Sequence, residues 1–402
     1  MNQREPVERE LIELRRDLHR HPELSGQERR TGGIVASQLE RLGLKVFRAP
    51  EPGASLLGIL ESGRPGRTLA LRADMDALSM RENPMNLTGP KACVSENNEA
   101  AHMCGHDFHT AGLVAVARRL TARKNELRGR VLFCFESGEE LGLGDDAREL
   151  LERHGPVDAV YGVHIQAAYP VGTAVILDGA CTAGCRRFTL KVHGKSAHGA
   201  LPHLSLDPLN CASQILCASN AILARRIDAR EPAVLSFCSI HGGTTWNRIP
   251  DLCVLQGGLR FFSDDMGKRL GDLLEDVVRG TAESCGCTAE LQWLDWTQPV
   301  VNDRGLAETA RRAAARAGVK VIDGEPWMAS ETFERYSRLA PTVFLFLGCA
   351  NPEKGFGAAQ HSDRFDADER CLDDDAAVTV SFAMDFLAGE KSQKTEKTSP
   401  AQ

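Results

Sequence analysis

Residues 68–76 read TLALRADMD, a short apolar run that ends in two acidic residues. The run follows a turn-forming stretch, SGRPG at residues 62–66, and this combination is typical of a buried strand. Ligands of open α/β sheets bind beyond the carboxyl ends of the strands. Asp74 and Asp76 stand at such an end, so the residues that follow the neighbouring strands become the candidates for a functional site.

Strands and helices alternate on both sides of this segment. Apolar strands that alternate with helices favour a mostly parallel sheet covered by helices on both faces. A later apolar run at residues 342–347 is expected to rejoin this sheet. The other predicted strands are residues 56–60, 131–135 and 159–163, and helices are predicted at residues 110–120 and 147–153.

The pattern changes to β-α-β-β-α-β after residue 181, which is the ferredoxin-like order. The predicted elements are strands 188–192, 234–240, 253–262 and 287–293, with helices 209–224 and 266–285. The sequence therefore predicts an α/β domain formed by residues 1–181 and 295–389, with a smaller α+β domain at 182–294 inserted in it. Residues 390–402 are polar and are predicted to form a disordered tail.

Composition excludes several classes of function. The 402 residues carry 48 basic and 55 acidic side chains, a formal charge of −7. The pI near 6.0 argues against a nucleic-acid partner. No apolar run approaches the roughly 20 residues that cross a bilayer, which argues against a membrane partner. The charged N-terminus has no apolar signal segment, so we expect a cytoplasmic protein whose 13 cysteines stay reduced.

Metal-binding residue types gather where the predicted strands end. The segment HMCGHDFH at residues 102–109 precedes an apolar helix, and acidic or histidine residues follow the other strands. A mixture of carboxylate, imidazole and thiol suits Zn²⁺ or Mn²⁺ better than Ca²⁺ or Mg²⁺. We also expect the positive end of the helix to lower the pKa of Cys104. The remaining candidates are Asp76, Glu136, Glu139, Glu140, His164 and His361.

The pair Glu139-Glu140 is a candidate for catalysis. Adjacent carboxylates repel unless a cation or a shared proton relieves them. One carboxylate can bind a metal while its neighbour takes a proton from water. A solvated turn is the alternative interpretation, because Gly138, Gly142 and Gly144 surround the pair.

Nine motifs in the same order make the chain similar to the metal-dependent amidohydrolases of the aminoacylase and carboxypeptidase superfamily. The resemblance is to the branch that contains hippurate hydrolase and the hydrolases of auxin–amino-acid conjugates, and it spans nearly the whole chain. CGHD at residues 104–107 is the most specific match. The others are RDLHRHPEL (16–24), LRADMDAL (71–78), GEE (138–140), GVH (162–164), GKSAH (194–198), NRIP (247–250), SETF (330–333) and HSDRF (361–365).

The resemblance implies two divalent metal ions per subunit, Mn or Zn, held by Cys104, His106, Glu140, His164 and His361. It implies that Glu139 is the general base and that Asp76 orients a ligand. The inserted domain corresponds to a lid that also forms a homodimer. There His198 would stabilise the oxyanion, either in its own subunit or in the partner, and Asn247 and Arg260 would bind the substrate carboxylate.

Some positions depart from the family pattern without removing a ligand or the base. Ser137-Gly138 replaces the usual Pro-Ala before the paired glutamates, and these departures bear on the shape of the pocket and on substrate choice. The other departures are Ser79, Phe108 and Thr332. His102, His109 and His203 lie inside motifs, but the sequence gives them no role.

The leading hypothesis is hydrolysis of the amide bond of a small N-acyl amino acid, which releases an amino acid and a carboxylic acid. Three alternatives remain open: a metal-dependent dipeptidase or carboxypeptidase of the same fold, a thiol hydrolase that uses Cys104, and a non-catalytic metal-binding protein. The sequence does not name the acyl group, the amino acid or the native metal.

Overall fold

The computed structural model describes residues 9–389, so the predicted tail at 390–402 lies outside the described residues. The helices are α1 Arg9–Arg20, α2 Arg29–Arg41, α3 His106–Ala122, α4 Asp145–Arg153, α5 Pro208–Arg226, α6 Asp264–Ser284, α7 Arg304–Arg316 and α8 Cys371–Ala388. The strands are β1 Lys45–Arg48, β2 Leu56–Glu61, β3 Thr68–Asp74, β4 Arg130–Glu136, β5 Ala159–Pro170, β6 Thr173–Val175, β7 Gly179–Ala180, β8 Gly184–His193, β9 Ala197–His198, β10 Ala233–Gly242, β11 Arg248–Ile249, β12 Leu252–Phe261, β13 Thr288–Thr297, β14 Val301–Asn302, β15 Lys320–Val321 and β16 Thr342–Ala350.

The chain divides into two compact units. The larger unit contains the described residues 9–179, 302–324 and 335–389. The smaller unit contains residues 180–301 and 325–334. We keep the predicted domain bounds, 1–181, 182–294 and 295–389, as a proposal alongside these two units.

The larger unit is built on one sheet with the strand order β1-β2-β4-β3-β5-β16-β6-β15. Its four central strands, β4, β3, β5 and β16, run parallel to one another. The antiparallel pairs are at the sides: β1 with β2, β2 with β4, and β16 with β6. The predicted α/β class with a mostly parallel sheet is therefore confirmed.

The central strands are covered on both faces. Every residue of β3 and of β16 is buried, which explains why their sequences are apolar runs rather than alternating patterns. Helix α3 packs against α1, α8 and β3, and its apolar sequence is buried on nearly all sides. Because α3 lies inside the unit, its first turn is held rigidly next to the ends of β3 and β5.

One predicted strand end is wrong in a way that affects the site. The prediction ends a strand at residue 163 and places His164 after it, whereas β5 continues to Pro170. The strand continues because β16 pairs with it through His164, opposite Phe346, and beyond. His164 therefore projects from regular strand backbone rather than from a loop.

The smaller unit has the predicted β-α-β-β-α-β order, formed by β8, α5, β10, β12, α6 and β13. Its sheet has the order β10-β12-β8-β13, and all three pairs are antiparallel. Side-chain caps begin both helices: Asp207 accepts from the backbone N–H groups of Leu209 and Asn210, and Ser263 accepts from that of Met266. The unit has its own apolar core between the helices and the sheet.

Candidate metal centre

The carboxyl ends of the parallel strands and the start of α3 meet in the larger unit. Strand β3 ends at Asp74, and Asp76 follows two residues later. Strand β5 carries His164, and α3 starts at His106 directly after Gly105. Gly105 has a φ of 95°, a backbone conformation that favours glycine, and a Cβ there would meet the Ile165 side chain at 2.6 Å.

The structure brings the five predicted ligands together with the predicted base. In each of three groups, one potential ligand atom per residue lies within 4.8 Å of those of the others. The groups are Cys104 with His106 and His164, Cys104 with Glu140 and His361, and His106 with Glu139 and Glu140. The groups share members, so the six side chains form one continuous cluster.

Single distances show how close the facing atoms are. Cys104 Sγ lies 3.4 Å from His164 Nε2. Glu140 Oε1 lies 3.8 Å from His106 Nε2 and 3.5 Å from His361 Nε2. Donor atoms around a single cation are separated by comparable distances, because metal–ligand bonds of roughly 2.0–2.3 Å place them on a small shell.

The two buried imidazoles are fixed with Nε2 turned inward. His164 Nδ1 donates to the backbone carbonyl of Ile165 at 2.6 Å, and His106 Nδ1 lies 3.0 Å from Asp76 Oδ1. A carbonyl or carboxylate accepts a hydrogen bond, so Nδ1 carries the proton and Nε2 offers its lone pair. Metal-binding histidines are held by their other ring nitrogen in this way.

Two inward-facing atoms fit a cation for a further reason. His106 Nε2 and Glu140 Oε1 are buried and have no hydrogen-bond partner in the described residues. A buried polar atom without a partner costs free energy of about 1–3 kcal/mol, and more where the group is charged. A divalent cation would satisfy both atoms, and the donor set of thiol, imidazole and carboxylate is one that Zn²⁺ and Mn²⁺ accept.

His361 has an unusual backbone. Its φ is 63°, the only positive value of a non-glycine residue in the described chain. Its N–H donates to the carbonyl of Met103 at 2.8 Å, which ties the loop to the segment just before Cys104. Strained conformations of this kind persist where surrounding contacts fix them, and they cluster at functional sites. The half-exposed His361 ring completes the open side of the cluster.

The prediction that the pKa of Cys104 is lowered is wrong when only the groups of the protein act on the thiol. Burial raises the pKa of this thiol well above its ordinary value, and the negative charge of Glu140 adds to the effect, while His106 opposes it. The end of α3 does not overcome these effects. A cation is the kind of partner that would favour the thiolate form here.

The paired glutamates lie in a short 3₁₀ turn, Glu139–Leu141, directly after β4. Gly138 and Gly142 border the turn with φ values of 76° and 68°. The N–H of Glu140 donates to Asp76 Oδ2 at 2.9 Å, so Asp76 contacts both His106 and the glutamate turn. The turn is thus anchored beside the cluster at Glu140, while Leu141 at its end is exposed.

Sequence reasoning missed the part played by Asp74 and His109. His109 Nδ1 lies 2.6 Å from Asp74 Oδ1, and His109 Nε2 accepts the N–H of Ile165 at 3.0 Å. Its ring packs edge-on against that of His164 with centroids 4.5 Å apart. His109 therefore holds the backbone beside His164. The spacing of His106 and His109, three residues apart on a helix, was the available signal.

The remaining predicted site residues lie in the smaller unit. His198 in β9 pairs with Arg248 in β11, and Gly199 N–H donates to the carbonyl of Asn247, so His198 and Asn247 lie close together. Arg260 lies near the far end of β12 and donates to Ser330 Oγ at 2.8 Å. Strand β12 begins at Leu252, eight residues before Arg260, which corresponds to about 26 Å of extended strand.

These features define a hydrolase of the metallopeptidase type. Residues 70–385 match the model of Peptidase family M20/M25/M40, and the chain belongs to this family. The resemblance drawn from the motifs is confirmed, and relatives named IAA-amino acid hydrolases from Arabidopsis thaliana also match. Among the described residues, no helix has the length and apolar character needed to cross a membrane.

Two relatives and one solved structure illustrate the likeness. The chain is 34% identical to the N-acetylcysteine deacetylase of Bacillus subtilis, covering 90% of this chain and 93% of the relative. It is 33% identical to thermostable carboxypeptidase 2 of Saccharolobus solfataricus, covering 96% and 97%. The fold also matches a Bacillus subtilis protein described as a dinuclear metal binding peptidase, with a TM-score of 0.82, 30% identity, and coverage of 94% and 98%.

Proposed function

We propose that this protein hydrolyses the amide bond of N-acyl amino acids with the help of two divalent metal ions. The observation that carries the proposal is the cluster of Cys104, His106, Glu140, His164 and His361, in which buried ligand atoms face one another without hydrogen-bond partners at His106 Nε2 and Glu140 Oε1. The products would be a free amino acid and a carboxylic acid, with one water consumed.

The five clustered side chains would hold the metals, and the donor set favours Mn²⁺ or Zn²⁺. When bound, a pair of such cations supplies Lewis-acid polarisation of a carbonyl and a lowered pKa of water. Glu139 would accept a proton from the attacking water and pass it to the nitrogen of the leaving amine. Its place in the group with His106 and Glu140 supports this role, because the base must lie next to the residues that hold the metal.

Asp76 would hold His106 and the glutamate turn in place. We expect Asp76→Asn to weaken the binding of metal by about 10–100-fold, because the amide NH₂ would replace an oxygen that accepts from both Ser25 and Glu140. Calorimetric titration of metal-free protein with Zn²⁺ or Mn²⁺ measures the effect. Asp178→Asn, at an exposed ion pair with Arg311, is the matched control, and equal affinities of the two variants would contradict this role of Asp76.

The lid residues support a homodimer. In this proposal His198 stabilises the oxyanion, while Asn247 and Arg260 bind the substrate carboxylate. Arg260 lies about 26 Å along β12 from Leu252, the first residue of the strand, and Asn247 precedes that residue in the chain. A span of this length exceeds the size of one carboxylate several-fold. This separation favours a site in which His198 and Asn247 of one subunit and Arg260 of the other meet the same substrate. The cytoplasmic location stays a prediction from the N-terminal sequence.

A second candidate is a metal-dependent carboxypeptidase or dipeptidase, which the likeness to thermostable carboxypeptidase 2 favours. Both reactions use the same bond chemistry and differ in the acyl part, which carries a free amino group in a dipeptide and further peptide in a longer carboxypeptidase substrate. The thiol hydrolase based on Cys104 and the non-catalytic metal-binding protein have no comparable support, since burial disfavours the thiolate and Glu139 is not needed for storage of a metal.

A hydrolysis screen with metal-supplemented protein tests the proposal. The panel contains N-acetyl, N-benzoyl and indole-acetyl amino acids beside dipeptides with the same C-terminal residue. We expect kcat/KM for the best N-acyl amino acid to exceed that of its matched dipeptide by at least about tenfold, since a buried unpaired ammonium group is costly. A preference for the dipeptides would establish the second candidate instead. Metal-loaded protein that hydrolyses neither class would contradict both.

A further inference from the structure

The loop before α2 contacts the two residues that lead into the glutamate turn. Glu28 is fully buried, with 0% of its surface exposed. Its carboxylate accepts two hydrogen bonds, from Ser137 Oγ at 2.6 Å and from the backbone N–H of Gly138 at 2.7 Å. Ser137 and Gly138 are the two residues that join β4 to the turn carrying Glu139 and Glu140.

The same loop also supports Asp76. Ser25 Oγ donates to Asp76 Oδ2 at 2.6 Å, and the same oxygen accepts the N–H of Glu140. The segment from Ser25 to Glu28 therefore supports the chain on both sides of Glu139. Glu28 accepts hydrogen bonds from Ser137 and Gly138, which precede Glu139. Ser25 donates to Asp76, which accepts the N–H of the following residue, Glu140. A second segment also holds Ser137. The N–H of Ser137 donates to Ser55 Oγ at 2.9 Å, and the Ser55 hydroxyl donates to Asp146.

We propose that Glu28 is a positioning residue for Glu139, acting through Ser137 and Gly138, and this inference rests on the function proposed above. Glu28 does not reach solvent, so it acts on substrate only through the turn that it holds. We expect substitution of Glu28 to lower kcat strongly although Glu28 does not touch substrate, because a displacement of a catalytic group by about 1 Å can cost a hundredfold in rate.

Ser137 contributes two donors to this arrangement. Its hydroxyl donates to Glu28 and its N–H donates to Ser55 Oγ. The two hydrogen bonds tie the residue that leads into the glutamate turn to two different segments of the chain.

Burial raises the pKa of Glu28 to about 7; the Ser137 hydroxyl lowers it and the charge of Asp76 raises it. Measurements are therefore made at pH 8.5, where Glu28 is ionised and accepts both hydrogen bonds. The geometry, rather than this titration, carries the proposal.

The experiment compares Glu28→Gln and Ser137→Ala with the parent protein, all loaded with Mn²⁺. We expect kcat to fall about tenfold or more in Glu28→Gln, because the amide can accept only from the Gly138 N–H, must turn an N–H toward Ser137 Oγ, and has no charge to strengthen either bond. In Ser137→Ala we expect a fall of about three- to tenfold. KM is expected to stay within about twofold, since neither residue touches substrate. Hydrogen exchange of the peptide that contains residues 137–142 should be faster in both variants.

Thr379→Val is the matched control, because Thr379 also donates from a buried hydroxyl to a buried carboxylate, that of Asp375 at 2.8 Å. Parent values of kcat and of exchange in Glu28→Gln and Ser137→Ala would overturn the proposal. A fall in kcat equal to that of Thr379→Val, without faster exchange at 137–142, would overturn it as well. If the parent protein hydrolyses no N-acyl amino acid, the proposed function fails, while the exchange measurement still tests the hold of Glu28 on the turn.

Discussion

Glu139→Gln is expected to abolish turnover while both metal equivalents stay bound. Glutamine has nearly the same shape as glutamate but accepts no proton at neutral pH, so the attacking water loses its base. General-base catalysis typically contributes about 10²–10⁴-fold, and kcat should fall by at least that range. The measurement is kcat on the best substrate of the screen, together with metal content by mass spectrometry.

The metal measurement separates two roles for Glu139. Its carboxylate lies in one group with His106 and Glu140, so a ligand role is geometrically open to it. Loss of a metal equivalent in Glu139→Gln would show that Glu139 is a ligand and would contradict its assignment as the base. Glu149→Gln, which alters an exposed glutamate paired with Arg153, is the control and should keep the parent kcat. Retained turnover in Glu139→Gln would contradict the assignment directly.

Removal of metal is expected to have the second very large effect. Exhaustive chelation should reduce activity by at least about a thousandfold, and added Mn²⁺, Zn²⁺ or Co²⁺ should restore it, since two-metal sites supply both the nucleophile and the polarised carbonyl. Ligands that bind only the folded state also stabilise it, so the chelated protein should unfold at a lower temperature. Activity assays and thermal unfolding before and after metal is returned measure both effects.

The thiol hypothesis makes the opposite prediction for the same protein. A hydrolase that uses Cys104 as its nucleophile would keep its activity after chelation and lose it in Cys104→Ala. Alkylation of Cys104 does not separate the two hypotheses, because it damages either site. Full activity of verified metal-free protein would contradict the metal-dependent function and would support the thiol mechanism.

The fold class could be predicted because its signals are local in the chain. Apolar runs such as residues 131–135 and 342–347 become buried parts of the strands β4 and β16. The order of elements then separates the parallel sheet from the β-α-β-β-α-β unit. The end of β5 could not be predicted, because it depends on pairing with β16, nearly 200 residues away.

The metal-binding residue types could also be predicted, but the residues that hold them in position could not. Cys104, His106 and the glutamate pair stand in short motifs whose chemistry is recognisable. Glu28 carries no such signal, and His109 carries only its three-residue spacing from His106. Their roles follow from what they contact in the structure, the turn at residues 137–138 and the N–H of Ile165.

The chain by itself determined which side chains can bind a cation and which elements carry them, since periodicity and turn chemistry depend on neighbours within a few residues. The tertiary structure alone decided that His106 Nε2 and Glu140 Oε1 face each other without hydrogen-bond partners among the described residues, and that Glu28 supports the turn that carries Glu140. The physical reason is that these contacts join segments brought together by the order of strands in the sheet, and hydrogen bonds between them depend on distances that no local pattern encodes.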